Sequence, residues 1–256
     1  MFRRWAALLG LTLGIGGVAF WTGCDTGPIV QEARHFTSTV TLSSEASLIL
    51  DMPIGFEIDA APVRTSVLVD FNGAVTASTS SKAKSLAAAL DFVVTRPDAQ
   101  TVKISLPAPA TGSRYLGAVH VFAPPTLKLT AGSLGSIIIK SWTSEINAAA
   151  VGGVEIDGGC CAITISQCTA AVVTTSLQAA QPVNISSSGE IDLFLPARPS
   201  IALNAEVADV SQLSIEHPAF PRPVGGLAYT PILNGGLAPV HVLTQAGRIV
   251  IRSSGQ

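Results

Sequence analysis

The sequence predicts an all-β fold, a β-solenoid of stacked short-strand coils with less regular, sandwich-like ends. Two observations carry that prediction. Apolar residues alternate with polar or small ones in short stretches bounded by Gly, Pro, Ser and Asp, the period of a half-buried strand. From residue 135 onward, pairs of inward candidates recur at nearly constant spacing: Ile137/Ile139, Ile146/Ala148, Val154/Ile156, Ile163/Ile165, Val172/Thr174, Val183/Ile185 and Ile191/Leu193.

The steps between those pairs are 9, 8, 9, 9, 11 and 8 residues. A strand of about four residues and a turn of similar length, repeated, lets two or three strands close a coil of roughly 18 to 27 residues. Each coil then stacks its aliphatic side chains on the next. Gly152-Gly153, Gly158-Gly159 and Gly189 fall between the pairs, where a positive φ is expected. A β-sandwich is the competing reading, because short strands at intervals of 8 to 12 residues describe it as well.

Earlier in the chain the same alternation marks Leu48/Leu50, Val67/Val69, Val93, Val102/Ile104, Val119/Val121 and Leu127/Leu129. One helix is predicted, over Lys82 to Asp91, where Leu86 and Leu90 share a face. After residue 195 the regularity loosens: Leu203/Ala205/Val207 and Leu213/Ile215 continue it, residues 218–239 are loop-rich, and Val240 to Leu243 and Arg248 to Ile251 close the chain.

The N-terminus carries a different signal. Arg3 and Arg4 precede an uncharged, largely apolar run from Trp5 to Gly23, the basic n-region and apolar h-region of an export signal. The run ends in Trp21-Thr22-Gly23-Cys24, which resembles the bacterial lipobox, with Trp21 where an aliphatic residue is usual. That resemblance implies cleavage before Cys24 and lipidation of Cys24. An uncleaved anchor and ordinary cleavage beside an unmodified cysteine are the alternatives, and all three place the domain outside the cytoplasm. The predicted organisation is a signal peptide over 1–23, a lipidated N-terminus and spacer over 24–47, and a single β-domain over 48–253 with regular coils over about 118–195.

Composition bounds the partners. Of 256 residues, 48% are apolar and 12% charged, so a large core of small aliphatic side chains is available. Beyond residue 23 there are 13 basic and 17 acidic side chains, a formal charge of −4. That balance supplies no basic surface for nucleic acid. The membrane, through the N-terminal lipid, and an envelope polymer or a protein are the expected partners.

The order of several short motifs resembles the bacterial putative-adhesin family, a lipoprotein-containing group of unknown function. Val119-His120-Val121-Phe122-Ala123-Pro124, Leu127 to Thr130 and Gly135-Ser136-Ile137 resemble its opening strands. Gly189-Glu190-Ile191-Asp192-Leu193-Phe194-Leu195-Pro196 resembles a late strand, and Gly247-Arg248-Ile249-Val250-Ile251 the closing one, with Arg248 where an acidic residue is usual. The likeness covers about residues 36 to 253. It implies a β-solenoid and brings no catalytic residues.

No catalytic, cofactor or metal site is predicted. His35, His120, His217 and His241 lie far apart, without Cys, Asp or Glu at ligand spacing; His120 and His241 are expected to be solvent-facing or hydrogen-bonded in strands. Cys160, Cys161 and Cys168 form the one cysteine cluster, a candidate disulfide in an exported protein, with buried small side chains as the plainer reading. Glu145, Glu155, Asp157, Glu190 and Asp192, with Lys140 the only nearby base, are the carboxylates that a solenoid glycan enzyme would need. Their alternation with aliphatic residues puts Glu155, Asp157, Glu190 and Asp192 on outward faces. Outward Thr164/Ser166 and Thr174/Thr175 offer hydrogen bonds to a polymer or to water. The functional readings are therefore a lipid-anchored structural, adhesive or interaction module, a solenoid carbohydrate-active enzyme, and an accessory subunit of an envelope assembly or stress system.

Overall fold

A computed structural model of the chain describes residues 29–159, 161–177, 180–223 and 225–254. The N-terminal part comprises β1 (Val30–Thr41), β2 (Ser47–Met52), β3 (Phe56–Ala60), β4 (Ser66–Ala77), α1 (Ser80–Ala89), β5 (Val93–Asp98), β6 (Thr101–Ser105) and β7 (Arg114–Ala123). The middle contains β8 (Lys128–Ser133), β9 (Ile137–Lys140), β10 (Ile146–Ala150), β11 (Gly153–Gly159), β12 (Ile163–Cys168), β13 (Ala170–Thr175), β14 (Val183–Ser187) and β15 (Ile191–Leu195). The chain closes with β16 (Ile201–Glu206), β17 (Leu213–Ile215), β18 (Ala228–Tyr229), β19 (Ile232–Leu233), β20 (Ala238–Thr244) and β21 (Ile249–Ser253).

These strands form two large sheets. The first runs β1-β4-β7-β3-β9-β11-β13-β15-β21-β17, and the second β18-β16-β20-β14-β12-β10-β8-β2-β6-β5, with β19 also on β16. From β8 to β15 successive strands alternate between the sheets, and each pairs in parallel with the strand two places on. Ile146 lies opposite Leu129 on one side and Ile163 on the other, 17 residues away in each direction, and Ile163 lies opposite Val183, 20 residues on. One circuit thus takes two strands. Both ends add antiparallel pairing, β1 on β4 on β7 and β5 on β6 at the start, β18 and β19 on β16 at the finish.

Parallel register places like side chains in rows between the sheets. The second sheet contributes Val102, Leu48, Leu129, Ile146, Ile163, Val183, Val240 and Leu203 across adjacent strands. The first contributes Phe56, Ile137, Val154, Ala171, Ile191 and Ile249. All are buried and belong to one apolar cluster. A period of two needs only short aliphatic side chains to fill so thin a space, which accounts for the scarcity of rings.

Three expectations need correction. Val172 and Thr174 face outward, and Ala171 and Val173 fill the core; with two adjacent valines alternation has no preference, and the register against Val154 and Ile156 decides it. Residues 30–41, expected to be spacer, form β1, paired over its whole length with β4. Phe36 is the reason: its ring packs against Phe71 and Phe92 at centroid distances of 5.3 and 4.8 Å. Lastly, Gly158 has the expected positive φ of 78°, whereas Gly152 and Gly189 do not and are small for another reason.

That reason lies at the corner leading from the second sheet to the first. A Cβ on Gly152 would sit 2.8 Å from the Gly135 carbonyl oxygen, one on Gly189 would overlap the Thr169 carbonyl, and one on Gly247 would overlap the Gly189 carbonyl. Just before several of these glycines stands a buried hydroxyl. Ser133 Oγ donates to the Ile54 carbonyl at 2.8 Å and accepts from Gly135 N at 2.9 Å. Ser187 Oγ donates to the Cys168 carbonyl and accepts from Gly189 N, and Thr244 Oγ1 donates to the Gly189 carbonyl and accepts from Gly247 N. The Gly-x-Ile phrases of the sequence are these corners, where backbones approach too closely for a side chain and the hydroxyl satisfies buried peptide groups.

Helix α1 begins at the N-cap Thr79, whose Oγ1 accepts from Lys82 N at 3.2 Å, and buries Ala83 and Ala87. It packs on β1 and β4. A second clamp joins the turn after β1 to β5: Arg96 Nε donates to Glu45 Oε1 at 2.8 Å, and the Ser43 and Ser44 amides donate to Glu45 Oε2 at 2.6 and 3.1 Å. The Arg96 guanidinium, then the Ser43 amide, hold the Glu45 carboxyl down from 4.5 to about 2. A depressed carboxyl stabilises the fold above its unfolded value and loses that contribution as pH falls through the folded one. Acid unfolding followed by circular dichroism is therefore expected to show a loss between pH 4.5 and about 2 that is smaller in Arg96→Ala, where only the amide and hydroxyl bonds still hold the carboxyl down.

Candidate binding faces

Each sheet turns one face to the core and one outward, and the two outward faces differ in chemistry. On the first sheet, register aligns Asp70, His120, Glu57, Ile138 and Glu155 across five strands, and beside them Asp59, Lys140, Asp157 and Thr174. Lys140 binds Glu57 and stands 4.0 Å from Asp59, and its hydrogen bond to Glu57 raises its pKa. His120 Nδ1 lies 4.0 Å from Glu57, and His35 Nε2 lies 2.8 Å from Asp70. Burial, then the Asp157 charge, raises the Glu155 carboxyl.

Farther along that face, Arg252 binds Asp192 at 2.8 Å and Glu216 at 2.9 Å, and Arg248 lies 3.7 Å from Glu216. Asp192 is outward as predicted but buried beneath this network, and burial raises its carboxyl against the opposing pull of Arg252. Glu57, Asp59, Arg248 and Arg252 lie outside residues 135–195, the stretch that holds the predicted carboxylates, and sequence distance hides them. Most of the charge here is engaged with charge. Exposed ion pairs are worth about 0–1 kcal/mol each, and their role is to solvate and order the face.

The second sheet's outward face carries a row of uncharged hydrogen-bonding side chains. Thr130, Asn147, Thr164, Asn184, His241 and Asn204 are direct register partners across six successive strands of the sheet. At about 4.8 Å per strand the row spans about 24 Å. Asn204 Nδ2 lies 2.9 Å from His241 Nε2 and 2.8 Å from Glu206 Oε1, and Asn147 Nδ2 donates to Glu145 Oε1 at 3.0 Å. Thr130, Thr164 and Asn184 are exposed and make no side-chain hydrogen bond among the described residues. Periodicity singles out Thr164; the row itself needs the inter-strand register, which no local pattern gives.

The other predicted positions are dispersed. Cys24 and Cys160 lie outside the described residues. Cys161 is buried just before β12, and Cys168 is buried at the end of that strand. Cys168 occupies the corner column beside Ser187; its Sγ lies 3.5 Å from the Ser186 carbonyl oxygen, and burial raises the thiol. Glu145 pairs with Lys128 at 3.5 Å and Glu190 is exposed. His217 is buried between the Pro196 carbonyl, 2.9 Å from Nε2, and the Ala219 amide, which donates to Nδ1. Among the described residues no group of three or more His, Cys, Asp or Glu is placed to hold a metal ion, and no helix is long and apolar enough to cross a membrane.

No protein-family model matches the chain, and no curated protein does. Solved structures do. A putative cell adhesion protein from Clostridium sporogenes aligns with a TM-score of 0.52 at 14% identity, over 87% of this chain and 100% of its own. A putative adhesin from Bacteroides fragilis aligns at 0.32 and 10%, over 86% and 97%, and a putative lipid binding protein from Parabacteroides distasonis at 0.30 and 16%, over 87% and 95%. The clostridial protein shares the fold.

Proposed function

We propose that this chain is a lipid-anchored, non-catalytic β-solenoid of the bacterial envelope that binds a neutral, hydroxyl-rich polymer along the second sheet. One observation carries the reading: a register-aligned row of uncharged donors and acceptors whose central members, Thr164 and Asn184, make no side-chain hydrogen bond among the described residues and face solvent. The parallel register and two-strand circuit support the solenoid. The clostridial likeness supports an adhesive role. Regularly spaced amide and hydroxyl groups suit the hydroxyls of an extended glycan, each net bond contributing about 0.5–1.5 kcal/mol.

Pull-down on isolated envelope glycans, followed by a glycan array, tests the reading. Replacing the exposed Thr130, Thr164 and Asn184 together by Ala is expected to weaken binding by roughly tenfold or more while leaving the unfolding free energy within about 0.5 kcal/mol, since exposed positions without side-chain hydrogen bonds are changed. Unaltered glycan binding by this variant overturns the assignment of the face.

Glu155 and Asp157 beside Lys140 are what the glycan-enzyme reading requires. Glu155 and Asp157 are exposed on the outward face, where water is not excluded from a bound sugar. Glycan cleavage that disappears in Glu155→Gln would establish that reading instead. The tether is tested separately. Cys24→Ser is expected to move the protein from the membrane to the soluble extracytoplasmic fraction, because one or more acyl chains supply the attachment; persistence in the membrane would indicate an uncleaved anchor.

A further inference from the structure

Strand β1 ends the first sheet: it pairs with β4 on one side and, among the described residues, with no strand on the other. At twelve residues it is a long open edge, and an open edge is a template for another strand. Two of its charged side chains lack ionic partners among the described residues. Glu32 takes part in no ion pair or side-chain hydrogen bond there. Arg34 donates only from Nη2, to the Leu90 carbonyl at 3.1 Å, and stacks 5.0 Å over Phe36, while its buried Nε meets no acceptor.

The first seven residues of the strand, Val30-Gln31-Glu32-Ala33-Arg34-His35-Phe36, are complementary to themselves when reversed. An antiparallel copy centred on Ala33 puts Glu32 opposite Arg34, Val30 opposite Phe36 and Gln31 opposite His35, and by the two-fold each pair occurs twice. Directly opposed residues point to the same side with Cβ atoms about 4.5–5.5 Å apart, so each Glu32 carboxylate meets the Arg34 of the other copy. Shifting the centre to His35 opposes Glu32 to Ser38 and Arg34 to Phe36, and both charges lose their complement. We infer that two copies of this chain associate through β1, antiparallel and two-fold about Ala33, joining their first sheets into one. The contact is isologous and closes at two copies, because each molecule has a single β1 edge.

Detergent-solubilised full-length protein provides the test. Size-exclusion chromatography with light scattering should find a dimer. Ala33→Cys should form an intermolecular disulfide under mild oxidation, since the opposed Cα atoms fall within the about 4.4–6.8 Å that a disulfide spans, whereas Thr39→Cys and the unchanged chain should not. Glu32→Arg and Arg34→Glu, each placing like charges opposite one another twice, should each weaken the dimer by roughly tenfold or more, and the double exchange Glu32→Arg/Arg34→Glu should restore it. Restoration also separates loss of pairing from loss of folding. A monomer at all concentrations, a dimer without the Ala33 cross-link, or single exchanges without effect would each overturn the inference.

Discussion

Gly247→Ala is expected to destabilise the fold by roughly 3 kcal/mol or more, at the upper end of what one added methyl does. The new Cβ would overlap the Gly189 carbonyl and the start of Glu190, which are backbone and have no rotamer to change. Relief requires the two circuits to separate. Doing so breaks the corner bonds from Gly247 N to Thr244 Oγ1 and from Thr244 Oγ1 to the Gly189 carbonyl, and lifts β21 from β15, whose pairing runs from Ile191 opposite Ile249 to Leu195 opposite Ser253. A conformational explanation would predict little effect, because the φ of Gly247 is not in the positive region. The midpoint of chemical unfolding, read by circular dichroism, distinguishes the two accounts. Gly235→Ala is the contrasting case, with open space around its Cβ but a φ of 86°, and its cost should be the smaller, backbone one of about 1 kcal/mol.

The second large effect is expected at Trp142, the largest fully buried side chain among the described residues. Its ring follows β9 into a core otherwise filled mainly by aliphatic residues, and its Nε1 donates to the Leu127 carbonyl at 3.0 Å. Trp142→Ala removes about 3–5 kcal/mol through the cavity alone and leaves a buried carbonyl unpaired. Trp142→Phe keeps most of the volume and loses the hydrogen bond, for about 1–3 kcal/mol. If both variants unfolded at the same denaturant concentration, the hydrogen bond and not the packing of the ring would be the larger contribution. Trp5 and Trp21 precede Cys24, so in a cleaved chain the intrinsic tryptophan fluorescence of the protein reports Trp142 directly.

Strand periodicity makes much of the architecture legible. Ile137/Ile139, Ile146/Ala148, Val154/Ile156, Ile163/Ile165, Val183/Ile185 and Ile191/Leu193 are buried where alternation puts them, because one face in two is a strong constraint. At Val172-Val173 the signal is degenerate and only the neighbouring circuit resolves it. Strand β1 escapes a sequence reading for a related reason: one face of this edge strand is exposed and the other mostly only half-buried, so Glu32 and Arg34 stand where apolar residues would mark the inner face. Long-range partners such as Glu57 with Lys140, 83 residues apart, leave no trace in a local window. The outward row from Thr130 to Asn204 is hidden likewise, each member being an ordinary polar residue until the registers align them.

That row also governs how binding would depend on ligand length. Its positions repeat with the strand spacing and differ little in chemistry, so an extended polymer displaced by one strand meets nearly the same partners. Short fragments then have many equivalent placements and weak affinity in each, while longer chains engage several strands at once and dissociate only when all contacts release together. Retention would grow with polymer length and fall little with local heterogeneity, a grip suited to tracking along a strand of envelope material as opposed to recognising one unit within it.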